Sequence, residues 1–253
     1  MGVGDVNYNL TNHVAWNWDA GSSTVTNNDG SISSQVRANP TAGFSILTYT
    51  GTGSNATIGH GLGVTPNVII VKRRNGTQNW GVYHSSIAPN DILQLDVSNA
   101  VYNSSGVFGN ALATSSVFSV NAGSGMSNGN GDTYVAYCFS EVAGYSKFGS
   151  YTGNGNADGT FVFTGFKVTW LLIKRTTSES WVLADTKRNS NVGRESPADS
   201  YLLADTSAAE STGIIYDMLS NGFKFRSSSQ NENGATYIYL AFAEAPFRNA
   251  RAR

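Results

Sequence analysis

The sequence predicts an all-β protein: two tandem, internally duplicated antiparallel β-sandwich domains preceded by an N-terminal arm. Three observations carry this. Residues Gly43–Arg73 contain GFSILTYTGTG and then GVTPNVIIVKR, and about a hundred residues later Gly144–Arg175 contain GYSKFGSYTGNG and then GFKVTWLLIKR. The end of each copy also answers the other, DTYVAYCFSE (Asp132–Glu141) against ATYIYLAFAE (Ala235–Glu244). Throughout, short runs of β-branched and aromatic residues are bounded by Gly and Asn turns, the pattern of a sandwich. Two copies of this period are too few and too long for a solenoid or propeller. The expected division is 1–42 as an arm, 43–145 as the first repeat and 146–253 as the second, each repeat of ordinary domain size.

Taken in order, the arm is polar apart from Trp16 and Trp18, with a turn at Asn28-Asp29-Gly30. A tryptophan pair brings much apolar area and little else holds such a segment, so Trp16 and Trp18 are expected to make an assembly contact, with a neighbour or with the first domain. Phe44–Tyr49 fits a strand. Val68–Lys72, an Asn-Gly turn and Trp80–Tyr83 form a hairpin, since both turn residues tolerate positive φ. Trp170–Lys174 and Trp181–Ala184 repeat that hairpin around a turn one residue shorter, and length changes at surface turns are cheap. Val117–Val120, Phe161–Phe163 and Phe223–Arg226 are further strands. Asn128–Gly131 and Asn231–Gly234 are turns leading into the closing strands Thr133–Phe139 and Thr236–Phe242. Both faces of each closing strand are largely apolar, which places it centrally with cover on both sides. Only Ala204–Leu219 has a helical look, weakened by Gly213 and by its Ser and Thr content.

Composition narrows the function classes. Lys and Arg number 16, Asp and Glu 17, and the net charge is −1, which argues against a nucleic-acid partner, since that needs a basic stripe. The cluster Lys72-Arg73-Arg74 reads as a solvated hairpin end. No apolar run is long enough to span a bilayer and no signal peptide opens the chain, so no membrane insertion is expected. The single cysteine, Cys138, matches Ala241 and reads as a small buried residue; it forms no disulfide or zinc cluster within the chain.

No catalytic signature stands out, neither a Gly-x-Ser-x-Gly elbow nor a phosphate-binding loop. His13, His60 and His84 lie far apart in sequence. His60 sits in Gly-His-Gly-Leu-Gly and is matched to Val162, which suits a turn better than a metal ligand. Glu141 and Glu244 both end closing strands, and a carboxylate repeated in both copies is more often structural than catalytic. We therefore expect no catalytic residues, no metal site and no cofactor. Trp80, Tyr83 and Trp181 are the candidate ligand-binding residues, because a flat aromatic suits the apolar face of a sugar ring, although repeat-matched tryptophans also suit a core. The least repeat-like segments, Pro89–Gly109 and Arg188–Ser211, are candidate binding loops.

The string GHGLGVTPNVIIVKRRNGTQNW (Gly59–Trp80), with YTGTG before it and TYVAYCF after it, resembles a largely uncharacterised domain of tail and fibre proteins of marine phages and cyanophages. YTGNG, GFK…LLIKR and the terminal YIYLAFAEAPFRNARAR look like its second half, and the likeness covers about residues 16–253. In one departure, Val168 stands where the proline of Pro66 is commonly echoed, so the turn before the second hairpin is not expected to be identical. The resemblance implies a virion protein made in the host cytoplasm, with other virion proteins as partners. The leading expectation is a homotrimeric tail-fibre or receptor-binding component presenting loops to a host cell-surface glycan. The alternatives are a capsid or tail decoration protein, whose arm would clamp a neighbour, and a polysaccharide depolymerase.

Overall fold

The computed structural model describes residues 14–109, 113–188 and 198–244. The first half carries β1 (Val25–Asn27), β2 (Ser34–Asn39), β3 (Phe44–Thr50), β4 (Ala56–Gly59), β5 (Val68–Arg73), β6 (Gly81–His84), β7 (Asp91–Gln94), β8 (Tyr102–Asn103), one helical turn α1 (Ser105–Phe108), β9 (Val117–Val120) and β10 (Thr133–Phe139). The second carries β11 (Ser146–Thr152), β12 (Phe161–Phe163), β13 (Trp170–Arg175), β14 (Val182–Asp185), β15 (Ala198–Leu203), β16 (Ser211–Leu219), β17 (Gly222–Phe225) and β18 (Thr236–Phe242). The protein is all-β, with antiparallel sheets.

Each copy builds one large sheet around its closing strand. The orders are β1-β2-β3-β10-β5-β6-β7-β8 and β11-β18-β13-β14-β15-β16-β17-β12, with β4 and β9 as a separate ribbon. β10 lies between β3 and β5, and β18 between β11 and β13. Side chains alternate across a strand, so each closing strand feeds two cores. Tyr134, Ala136 and Cys138 join Leu47, Tyr49, Ile58, Val71 and Phe118 in a core under the β4–β9 ribbon. Tyr237, Tyr239 and Ala241 join Tyr151, Ile173, Tyr216 and Phe223, where β16, β17 and β12 curl over the second sheet. The opposite faces meet each other: Phe44, Val68, Val82 and Phe139 pack with Leu172, Trp181, Leu240 and Phe242. The two sandwiches are thus stacked through their central sheets, and neither inner face is solvated.

Packing compensates where the copies differ. Leu47 lies opposite Ala136 in the first copy and Gly149 opposite Tyr239 in the second, so the large residue has changed strands. A Cβ on residue 149 would lie 2.8 Å from Tyr239 Oη, which only a glycine avoids at close-packed density.

Two expectations are corrected. Residues 25–39, expected in the arm, form β1 and β2 and belong to the first sheet. The cause is the edge of β3, whose outward backbone groups at Phe44, Ile46 and Thr48 need partners and find them in Asn39, Arg37 and Gln35. Most of the Ala204–Leu219 segment is β16, not helix. Tyr216 and Met218 are buried at a spacing of two, and pairing with β15 and β17 overrides a weak local propensity.

Candidate functional site

The matched residues form the scaffold on which any site must sit. Tyr49 stacks on Tyr134 with ring centroids 5.2 Å apart, and Tyr151 on Tyr237 at 5.0 Å. Tyr49 donates to the Ser127 carbonyl at 2.7 Å, and Tyr151 to that of Gln230 at 2.6 Å. Burial holds both phenols well above their ordinary pKa, with the neighbouring tyrosine adding to it, so they act as fixed donors. The next residues, Asn128 and Asn231, are buried amides that tie down the loop after β3 or β11. The Asn128 carbonyl oxygen accepts from Thr52 N–H at 2.9 Å and its NH₂ donates to the Ser54 carbonyl at 2.6 Å. Asn231 accepts from Asn154 N–H at 3.2 Å and donates to the Asn156 carbonyl at 2.9 Å. Arg73 with Asp132 and Arg175 with Glu232 brace the same ends from outside.

The two histidines of the described residues are structural. His60 Nδ1 accepts from Leu62 N–H and Nε2 faces the Thr114 carbonyl at 3.1 Å, while burial lowers its pKa. His84 Nδ1 accepts from Ser86 N–H at 3.1 Å and Nε2 lies 3.3 Å from the Tyr239 carbonyl, a bond from the first copy to the second. Burial pulls the His84 pKa down to about 4. The structure also moves the match for His60: Thr164 Oγ1 accepts from Phe166 N–H as His60 does from Leu62, and Val162 instead matches Ile58. Burial of Cys138 pushes its thiol to about 12, so it is an inert core residue. Among the described residues, no group of three His, Cys, Asp or Glu could hold a metal ion.

The expected sugar-stacking residues are not brought together. Trp181 is 1 % exposed in the core between the sheets, and its Nε1–H donates to the Gln94 carbonyl of the first copy at 2.7 Å. Tyr83 is buried against Phe108. Neither ring offers a face to a ligand, because stacking the two sheets consumes the face on which Trp181 stands. Trp80 is half-buried, stacked on Tyr137 with Lys72 6.0 Å from its ring centroid. Trp16 and Trp18 pack within the chain. The Trp18 ring lies 5.9 Å from Phe139 and 5.3 Å from Trp170, wedged between the two copies. The Arg188 guanidinium lies over Trp16. Part of the Pro89–Gly109 segment is likewise used internally: Val101 N–H donates to the Thr176 carbonyl, and Glu179 N–H to that of Ser98.

Outside this scaffold lies a cleft of about 420 Å³, lined by Ser31, Asn55–Thr57, Gly109 and Ser119–Asn121. Its residues come from the ribbon, the N-terminal segment and the end of the unmatched Pro89–Gly109 stretch. Hydroxyl and amide groups share its lining about equally with apolar surface, including Ala56 and Val120, and sequence reasoning missed it because its polar members are scattered Ser, Thr and Asn. The chain matches the family model described as a domain of unknown function, DUF7483, over residues 1–246. The chain belongs to this family. No curated protein and no solved structure matches it. Among the described residues of this DUF7483 domain, no helix is long and apolar enough to cross a membrane.

Proposed function

We propose that the chain is a structural component of a phage virion, a homotrimeric tail-fibre or receptor-binding protein that presents polar surface to a host glycan. The observation that carries the reading is the cleft at Asn55–Thr57 and Ser119–Asn121. Its volume falls in the range of small-ligand sites, and its uncharged lining, part hydroxyl and amide and part apolar, suits the hydroxyls and the apolar face of a sugar. It lies on the ribbon, whose counterpart in the second copy is merged into a continuous sheet, so it is a feature of one copy alone. Repetition around a trimer axis would give weak sites avidity. The sequence resemblance to tail and fibre domains supports the setting.

The test is competition. Purified chain should slow phage adsorption to host cells, and Ser119→Trp, which fills the cleft, should abolish the effect while leaving the melting temperature unchanged. Equal competition by both proteins would remove the cleft from the reading, and none by either would remove the receptor-binding role.

A further inference from the structure

The polar groups of the cleft on the β4–β9 ribbon are biased toward donors. Thr57 lies opposite Ser119 across the ribbon. Side chains alternate along a strand, so Asn55, Thr57, Ser119 and Asn121 share one face, away from the core that takes Ile58, Phe118 and Val120. Ser31 reaches the edge of that face from the N-terminal segment. Its N–H donates to Thr57 Oγ1 at 3.0 Å, and Thr57 N–H donates back to Ser31 Oγ at 2.9 Å. Asn55 Oδ1 accepts from Ala122 N–H at 2.8 Å.

Each of these bonds occupies an acceptor and leaves a donor. A hydroxyl has one hydrogen and two lone pairs, and a carboxamide has an acceptor oxygen and two N–H donors. Ser31 and Thr57 each commit a lone pair to the other's backbone, and Asn55 commits its carbonyl oxygen to Ala122. The O–H groups of Ser31 and Thr57 and the NH₂ of Asn55 find no acceptor among the described residues. Ala56, half-buried, adds apolar surface beside them. Gly109 closes one side. A Cβ there would lie 3.0 Å from Ser119 Cβ and from Asn121 Oδ1, so its bare backbone lies against the ribbon. Among the described residues, none that lines the cleft is charged.

We propose that this cleft selects the acetamido group of an N-acetylated amino sugar. The inference rests on the glycan reading of the same cleft and narrows it. An acetamido carbonyl only accepts, so it suits a site whose spare groups are donors. Its methyl suits the apolar part of the lining. Its N–H meets Ser119 Oγ, which makes no other bond among the described residues. A sugar hydroxyl in the same place must also direct its own hydrogen, and Ser31, Thr57 and Asn55 have fewer lone pairs left for it. A uronic acid carboxylate would accept the same bonds, but its charge would be partly desolvated with no cation in the described lining.

Titration of the full chain with methyl glycosides, followed by ligand-observed NMR, measures this selection. The glycosides are those of N-acetylglucosamine, N-acetylgalactosamine, glucose and glucuronic acid. One of the two N-acetyl glycosides should bind about tenfold more tightly than the glucoside, equivalent to one further hydrogen bond, and more tightly than the glucuronide. Ser119→Trp should abolish binding of all four. Asn55→Asp keeps an acceptor for Ala122 N–H and replaces the NH₂ donor by an anionic acceptor. It should remove the preference and leave the melting temperature unchanged. Equal affinity for the N-acetyl glycosides and the glucoside, tighter binding of the glucuronide, or a preference that survives Asn55→Asp overturns the inference and leaves the glycan reading standing. No binding of any glycoside at millimolar concentration overturns it as well, and the adsorption competition then decides the glycan reading by itself.

Discussion

In the first copy, β2 and the residues before it seal the seam between β3 and β4, while the large sheet ends at β8 and α1. In the second, β15, β16 and β17 run on as one sheet to β12, and among the described residues no strand covers the seam between β11 and β12. One duplicated unit has thus been closed from opposite sides. What the copies share is the nucleus: the stacked tyrosines, the buried asparagine and the central closing strand. What they do not share is the treatment of edges. Edge protection depends on whatever chain lies nearby, and only the first copy has a segment preceding it that is long enough to serve; six residues separate β10 from β11.

The comparison breaks most readily at the core between the sheets. Trp181→Ala should cost about 3–5 kcal/mol in urea unfolding, whereas its sequence match Trp80→Ala, half-buried, should cost about 1–2 kcal/mol. Equal losses would mean that the two tryptophans are used alike after all. At the seams, Val36→Asp puts an unpaired charge into the core beneath the first sheet and should cost about 3–5 kcal/mol, while Ser150→Asp, exposed on β11, should stay within about 0.5 kcal/mol. A large effect at Ser150 would show that the second seam is covered.

The link between copies is open to pH. His84 has its pKa lowered to about 4 from an ordinary 6.5, by burial, against the opposing pull of the Tyr239 carbonyl and Glu141. Below pH 6.5 the unfolded chain takes up a proton that the folded one refuses, so stability should fall as pH drops from 6.5 through 4. The His84 contribution is ~3 kcal/mol at full extent. Unfolding titrations of His84→Gln should lack this component. The shared nucleus is tested by an equality: Asn128→Ala and Asn231→Ala should each cost about 1–3 kcal/mol. A clear inequality would show that one copy's loop is held by other means.

Much of the fold was legible because the repeat marks which residues matter. The strand pairs, the central closing strands and the role of the Asn-led turns follow from matched strings and period-two patterns. The segment 25–39 was not legible as part of the sheet. It is polar, and its strand character comes from bonds to β3 and β4 rather than from its own residues. The match of His60 to Val162 failed for a related reason. A ring nitrogen and a threonine hydroxyl can cap the same turn, so chemically unlike residues hold one position. The cleft was invisible, since nothing distinguishes Ser119 or Asn55 from other surface polar residues until the ribbon brings them together.

By itself, the sequence determined that the chain is all-β, that a unit occurs twice, and where the matched strands and turns of that unit lie, because side-chain alternation and turn chemistry are local and survive duplication. Only the tertiary structure decided that the two sheets stack through their inner faces, that Trp18 and Trp181 lie between them, and that β2 seals the seam of the first copy. Those outcomes depend on which surfaces far apart in the chain can bury each other and satisfy each other's backbone, and no local pattern encodes that.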